Sequence, residues 1–197
     1  MVALLGPIAG LVADISTGTS TAWAAPSVKE RTIYYAIKGK TAADFARSMT
    51  SRGPRAFTPR RRVWATATRS LRYSLQTSSK AGSCRNLGAK VSMDITYRMP
   101  RLSRTKGVRA SELRKWRRMY AILLRHEKVH GRYYKQLANQ VYKALRAKRR
   151  ARSCRELERW AKATVKRLSD ANIRKNARFE IIDRPNYRRM QRIVQGG

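Results

Sequence analysis

Histidine, cysteine and acidic residues are scarce in this sequence. Its 197 residues contain two histidines, two cysteines and 11 aspartates and glutamates. Because there is no third histidine, a zinc site with three histidine ligands is excluded, and a third protein ligand is expected to be acidic. No Cys-x-x-C pair is present, which disfavours a metal site built on cysteine. No apolar run reaches transmembrane length, so we expect a mature chain without transmembrane segments.

Positive charge, in contrast, is in large excess. The chain has 46 lysines and arginines and a formal net charge of +35. Such a charge favours attraction to polyanions such as anionic cell-envelope polymer, anionic lipid or nucleic acid, with nucleic acid less favoured than the envelope polymer. A solvated basic surface without a specific partner explains the same composition.

The first 25 residues have the pattern of a secretory signal peptide. An apolar run at 3–13 precedes a short polar stretch, and Ala22 and Ala24 fit the small-x-small rule for cleavage. No lysine or arginine precedes the apolar run and Asp14 closes it early, so an ordered N-terminal element is the alternative. A signal at 1–25 predicts a secreted or periplasmic protein.

The two cysteines, Cys84 and Cys154, are interpreted as one disulfide. Proteins exported to oxidising compartments keep such bonds. The loop that this disulfide closes is long, and the chain-entropy model assigns it on the order of 4 kcal/mol of stabilisation. The alternative, in which one cysteine is a metal ligand, is disfavoured.

The periodicity of the chain changes from strands to helices near residue 100. β-Branched and aromatic residues at 32–37, 63–75 and 87–99 predict three strands. A capping box at Thr41–Asp44 predicts a short helix after the first strand. We expect the strands to form a small antiparallel three-stranded sheet.

Two long helices are predicted after the strands. The first runs from Ser111, its N-cap, to about Arg149, and the second from Ser153 to about Ala177. Their short connection makes them antiparallel neighbours. The fold class is therefore α+β, with a single domain at 26–183, and residues 184–197 are expected to form a basic tail.

The first long helix carries the sequence His126-Glu127-Lys128-Val129-His130, an H-E-x-x-H motif. Two histidines four residues apart lie on one face of a helix and can bind the same zinc ion. Glu127 is placed to take the proton of an attacking water, which is the arrangement of zincin metalloproteases. Two core histidines hydrogen-bonded to their neighbours are the structural alternative.

A catalytic zinc ion usually has three protein ligands. In an antiparallel helical hairpin, the end of the second helix returns beside the two histidines. Acids near the corner of the hairpin lie roughly 20–25 Å away, at 1.5 Å per residue. Glu180 is therefore the predicted third ligand, followed by Asp183 and Asp170. Orientation of a histidine is the alternative role of Glu180.

The order and spacing of these features resemble the DUF922 family, predicted secreted zinc-dependent proteases of bacteria. The resemblance covers residues 34–183, and the features that carry it are Tyr-x-Ile-x-Gly-x-Thr at 35–41, Gly53-Pro54, Cys84, Trp116, the H-E-x-x-H motif and Cys154. It implies an exported, zincin-like metalloprotease domain with His126 and His130 as zinc ligands and Glu127 as the catalytic acid and base. It also implies that the two cysteines pair.

The expected function is hydrolysis of peptide bonds by a secreted or periplasmic zinc metallopeptidase. An extended peptide substrate would pair with an exposed sheet edge, for which 32–37 is the candidate. Tyr133, Tyr134 and Tyr187 are candidates for binding the oxyanion, with core packing as the alternative. The family pattern has His-Gly where Pro185-Asn186 stand here, so the alternative function is that of a catalytically degenerate member that binds anionic polymers of the cell envelope.

Overall fold

The structure is a computed structural model that describes residues 24–55 and 62–195. Residues 1–23 of the proposed signal peptide lie outside this part of the chain. No helix among the described residues is long and apolar enough to cross a membrane. The described residues form four strands and four helices: β1 (Ser27–Ile37), α1 (Ala42–Arg52), β2 (Thr66–Lys80), β3 (Ser83–Leu102), α2 (Ala110–Ala147), β4 (Arg150–Ala151), α3 (Cys154–Ile182) and α4 (Arg184–Gln195).

Local capping signals define the starts of two helices. The Thr41 side chain accepts a hydrogen bond from the backbone amide of Asp44, and the Asp44 carboxylate accepts one from the amide of Thr41, so the predicted capping box begins α1. Ser153 caps α3, as predicted. The predicted cap of α2 at Ser111 is wrong, because this helix begins one residue earlier and has no side-chain cap.

The sheet is mixed, with the strand order β1-β3-β2 and the short β4 beside the start of β3. β2 and β3 form an antiparallel hairpin whose turn contains Gly82 with a φ of 71°. β1 pairs with β3 in parallel. The predicted antiparallel three-stranded sheet is therefore wrong. The hairpin pairs β2 with one edge of β3, and β1 pairs with the other edge. The alternation of apolar residues in a strand indicates which face of the strand is buried, but it does not indicate which strand lies beside it.

Helix α2 covers one face of the sheet. The residues of β3 that face this helix are buried, and they are Val91, Met93, Ile95, Tyr97 and Met99. The apolar stripe of α2 that meets them consists of Met119, Ile122, Leu123, Leu137, Val141 and Leu145. The helix approaches the sheet closely at Gly131, where an added Cβ would lie 1.9 Å from the hydroxyl oxygen of Tyr97. This close contact places the H-E-x-x-H segment directly over the sheet.

The corner between the two long helices is attached to the start of β3. Cys84 and Cys154 form a disulfide with a Cα–Cα distance of 5.0 Å, so their predicted pairing is confirmed. The side-chain amide of Asn86 donates to the carbonyls of Leu145 and Lys148, both at 2.9 Å. These carbonyls lie at the end of α2, where no further helical amide can reach them.

Residues 184–195, expected to belong to a basic tail, form helix α4. Met190 and Ile193 of this helix are buried, and the ring of Tyr187 stacks on Trp64 with the centroids 5.9 Å apart. These three residues of α4 are spaced by three, which is a helical period within a basic sequence. The helix therefore packs against the domain.

Candidate metal centre

Helices α2 and α3 bring together the three side chains that the sequence suggested as metal ligands. The Nε2 atoms of His126 and His130 are 3.1 Å apart. Oε1 of Glu180 lies 3.4 Å from Nε2 of His126 and 3.0 Å from Nε2 of His130. Two ligand atoms about 2.0–2.1 Å from zinc at a tetrahedral angle are about 3.4 Å apart. The three donor atoms thus have nearly this spacing, and together they could hold a metal ion.

The other ring nitrogen of each histidine faces an oxygen atom. Nδ1 of His126 lies 2.7 Å from Oδ2 of Asp183, and Nδ1 of His130 lies 2.5 Å from Oδ1 of Asn176. The amide nitrogen of Asn176 donates to the carbonyl of Asn172 at 2.7 Å, which fixes the side-chain oxygen towards His130. Because both oxygens are acceptors, each Nδ1 is a donor, and each Nε2 is left to face the other and Glu180.

The two lower-ranked candidates for the third ligand do not join this group of donor atoms. Asp183 instead contacts Nδ1 of His126 and accepts a hydrogen bond from the side chain of Asn186 at 2.7 Å. Asp170 pairs with Lys166 at 2.7 Å. It lies ten residues before Glu180 on α3, about 15 Å along the helix at 1.5 Å per residue. The structure therefore does not bring Asp170 to the centre.

Glu127 is buried between α2 and the edge of β2. Its side chain faces the backbone amide of Ala67, and the residue is 5% exposed. Burial raises the pKa of Glu127 to about 7, against the opposing effect of His126 and His130. The hydroxyl of Tyr134 donates to the carbonyl of Ala67 at 3.1 Å. Since the amide and carbonyl of one residue in an antiparallel strand point the same way, both groups of Ala67 face α2.

The charges of the centre depend strongly on one another. Burial lowers the pKa of His126, but hydrogen bonds to Glu180 and Asp183 outweigh this effect and raise it to about 9. The hydrogen bonds to His126 and His130 lower the pKa of Glu180 to about 2. A metal ion binding here would therefore displace protons from the imidazoles.

Sequence reasoning missed the aromatic packing at the centre. The ring of Phe179 contacts both imidazoles, with centroids 4.9 Å from His126 and 5.3 Å from His130. The residues at the end of α3 and just after it that contact the histidines recur every three or four positions, and they are Asn176, Phe179, Glu180 and Asp183. This spacing is the signal that could have identified the face of α3 at the centre.

The sheet edge beside Glu127 belongs to β2 and not to β1. Glu127 and Tyr134, seven residues apart on one face of α2, both face Ala67 of β2. Glu30 of β1 contacts Lys128 and Lys135, which lie on another face of α2. The edge suggested from the sequence, 32–37, is thus the edge farther from Glu127.

None of the three candidate tyrosines is shown to be an oxyanion donor. The hydroxyl of Tyr134 is engaged by the carbonyl of Ala67. The ring of Tyr133 packs edge-on against Phe179, with the centroids 6.0 Å apart. Tyr187 is the residue that stacks on Trp64. The structure thus gives Tyr134 a hydrogen bond to β2, and gives Tyr133 and Tyr187 ring contacts with Phe179 and Trp64.

Comparison with known proteins gives one family match. The model of a family described as "Bacterial protein of unknown function (DUF922)" matches residues 32–184, which is more than half of the chain. No curated protein and no solved structure matches the chain. The matched segment includes the H-E-x-x-H motif, both cysteines and Glu180.

Proposed function

The chain belongs to the DUF922 family of bacterial proteins of unknown function, and on that premise we propose that it is a zinc-dependent hydrolase of peptide bonds. The observation that carries the proposal is the spacing of the donor atoms of His126, His130 and Glu180, at 3.0–3.4 Å from one another. Here both Nε2 atoms and a carboxylate face a common point.

The donor set favours zinc as the metal ion. Two imidazole nitrogens and one carboxylate oxygen, with a fourth position left open, are the ligands of several catalytic zinc sites. The partners on both Nδ1 atoms, Asp183 and Asn176, are of the kind that orients zinc-binding histidines. A zinc ion bound here would supply Lewis acidity, which polarises a carbonyl and makes a water molecule more acidic.

In the proposed reaction, Glu127 is the general base and then the general acid. Its carboxylate takes the proton of the attacking water and passes it to the leaving amine. The amide of Ala67 holds this carboxylate at the edge of β2. We propose that an extended peptide lies along the same edge, beyond Ala67, and that it is bound by main-chain hydrogen bonds.

The proposed location is outside the cytoplasm. The disulfide between Cys84 and Cys154 joins two secondary-structure elements, and such bonds persist in oxidising compartments. A secreted or periplasmic protein would meet those conditions. The signal-like segment at 1–25 agrees with this location.

Metal content and hydrolysis test the proposal together. We expect one zinc ion per purified chain by elemental analysis, with the zinc lost in His126→Ala, His130→Ala and Glu180→Ala. Glu127→Gln should keep zinc and lower the cleavage of an unstructured protein by about 10²–10⁴-fold. Glu158→Gln, an exposed acid near the start of α3, is the matched control and should behave as the wild type.

Two results would contradict the proposal. The first is a wild-type protein that binds no zinc. The second is a zinc-loaded Glu127→Gln variant as active as the wild type. Bound zinc whose removal lowers the melting temperature, in a protein that hydrolyses nothing, would instead favour a structural metal ion.

An exposed basic face of the sheet favours a second candidate function, the binding of anionic cell-envelope polymer. The face of the sheet opposite to α2 carries basic side chains that are exposed, and they are Arg31, Arg72, Lys90 and Arg98. Binding of a polyglycerol phosphate that weakens steeply with salt, and that survives removal of metal by a chelator, would support this function. Stronger binding of duplex DNA under the same conditions would favour nucleic acid as the partner.

A further inference from the structure

A cleft of about 380 Å³ opens at the junction of α3 and α4, beside the candidate metal centre. Its lining residues are His126, Glu180, Ile181, Asp183, Arg184, Tyr187 and Arg188. One side of the cleft thus belongs to the centre itself. The rest combines two arginines with two large, partly apolar side chains that are exposed, Ile181 at 59% and Tyr187 at 41%.

The two arginines of the cleft have no acidic partner among the described residues. Arg184 and Arg188 are four positions apart on α4 and therefore lie on one face of that helix. No salt bridge joins either guanidinium to a carboxylate in residues 24–55 and 62–195. The acids of the same cleft are already engaged, Glu180 by the two histidines and Asp183 by His126 and Asn186.

The chemistry of the cleft favours an anion, and the anion that a peptide can supply is a carboxylate. A guanidinium binds a carboxylate through two parallel hydrogen bonds, and the cation that the centre would hold adds positive charge nearby. A peptide can present this group as the side chain of an acidic residue or as its C-terminal carboxylate. Ile181 and Tyr187 offer apolar surface to the methylene or neighbouring groups of such a ligand.

The helix that carries the arginines is held in place by packing. Burial of Met190 and Ile193 and the stacking of Tyr187 on Trp64 fix α4 against the domain. Arg184 and Arg188 are exposed, like many arginines of a chain with a net charge of +35, and they differ in lining the cleft beside the centre. Binding groups on a rigid element lose less conformational freedom when a ligand binds.

We propose that Arg184 and Arg188 form a carboxylate-binding subsite, and that the preferred substrate is a peptide with a carboxylate next to the bond that is cleaved. This inference rests on the proposed peptidase function and extends it to the substrate class. The subsite binds the carboxylate of the substrate. Metal binding remains with His126, His130 and Glu180, and proton transfer remains with Glu127.

Matched peptides test this specificity in the zinc-loaded full chain. One peptide carries glutamate in place of glutamine and has an amidated C-terminus, a second carries glutamine and a free C-terminal carboxylate close to the cleaved bond, and a third carries glutamine and is amidated. We expect kcat/KM to be higher for one of the first two than for the third. The one that is favoured identifies the source of the carboxylate, and equal values for all three would overturn the proposal.

A pair of double variants separates the subsite from general electrostatic attraction. Replacing Arg184 and Arg188 with glutamine should lower kcat/KM for the preferred peptide by about 10–100-fold, the effect of losing charge-assisted hydrogen bonds. The control replaces Arg155 and Arg159, which have the same spacing, are exposed on α3 and lie about 31–38 Å from Glu180 at 1.5 Å per residue. It should change kcat/KM less than twofold. Equal losses in the two double variants would overturn the proposal.

Equilibrium binding keeps this test separate from the test of hydrolysis. Fluorescence anisotropy of the labelled peptides on zinc-loaded Glu127→Gln protein requires no turnover. Weaker binding of the carboxylate peptide after replacement of Arg184 and Arg188, with zinc content and melting temperature unchanged, supports the subsite even if no variant hydrolyses a peptide. Unchanged binding overturns the subsite and leaves the proposed hydrolase unaffected.

Discussion

Nδ1 of His126 lies 2.7 Å from a carboxylate oxygen of Asp183, the residue between α3 and α4. The other oxygen of Asp183 accepts a hydrogen bond from Asn186 of α4. The orientation of one histidine is therefore linked to the junction of two helices. Asp183, a candidate metal ligand from the sequence, instead lies where it can orient the ring of His126.

The first prediction concerns this link. Asp183→Asn should lower the zinc affinity by about 10–100-fold, because a neutral amide orients and polarises the imidazole less well than a carboxylate does. Competition with a chromophoric chelator measures the affinity. Asp170→Asn, which removes an acid of α3 that lies away from the centre, is the control. Equal affinities of the wild type and Asp183→Asn would show that the contact does not support metal binding.

The second prediction concerns the contact between Gly131 and Tyr97. Gly131→Ala should lower the free energy of unfolding by about 1–3 kcal/mol, because its Cβ meets the Tyr97 hydroxyl. Tyr97→Phe removes that hydroxyl oxygen. Chemical denaturation of both single variants and the double variant gives a cycle in which the double loss should be smaller than the sum of the single losses. Additive losses would contradict the steric explanation.

The third prediction concerns Glu30 and pH. The pKa of Glu30 is lowered from 4.5 to about 2. The hydrogen bond from Lys135 is the largest cause, Lys128 lowers the pKa further, and burial opposes both effects. The stability contributed by Glu30 is therefore fully present above pH 4.5 and is lost as the pH falls through about 2. Glu30→Gln should be less stable than the wild type at pH 7, and the difference should shrink between pH 4.5 and 3. An unchanged difference at pH 3 would contradict the assignment, and Glu158→Gln provides the exposed control.

The fourth prediction concerns the disulfide. Cys84 and Cys154 are 70 residues apart in sequence, and the loop-closure model gives about 4 kcal/mol for a crosslink of that length. Replacing both cysteines with alanine should lower the free energy of unfolding by about that amount, as measured by chemical denaturation. Reducing agent should have the same effect on the wild type and none on the double variant. A loss below about 1 kcal/mol would show that the unfolded chain gains little freedom without the bond.

Features encoded by neighbouring residues were predictable from the sequence. The capping box at Thr41 and the cap at Ser153 depend on contacts within one helical turn. The position of His126 and His130 on one face of α2 follows from the helical repeat. The proximity of Glu180 to the two histidines follows from the length of each helix in an antiparallel hairpin. That argument needs only the position of the corner between the helices.

Features that depend on distant partners were not predictable in the same way. The residues of β1 do not specify whether β2 or β3 pairs with them, so its parallel pairing was missed. Helix α4 was missed because arginines and Pro185 obscured the apolar spacing of Tyr187, Met190 and Ile193. The hydrogen bond from the His126 ring to Asp183 requires the exact path of the chain after α3, which no local pattern contains.

The position of the disulfide has a consequence for the two long helices. It fastens the closed end of their hairpin, at Cys154, to the sheet. A zinc ion held by His126, His130 and Glu180 would be a second crosslink, which joins α2 to the far end of α3. Reductant should then break the attachment at Cys154, and chelator should break the crosslink near Glu180. Each treatment should leave the other attachment intact.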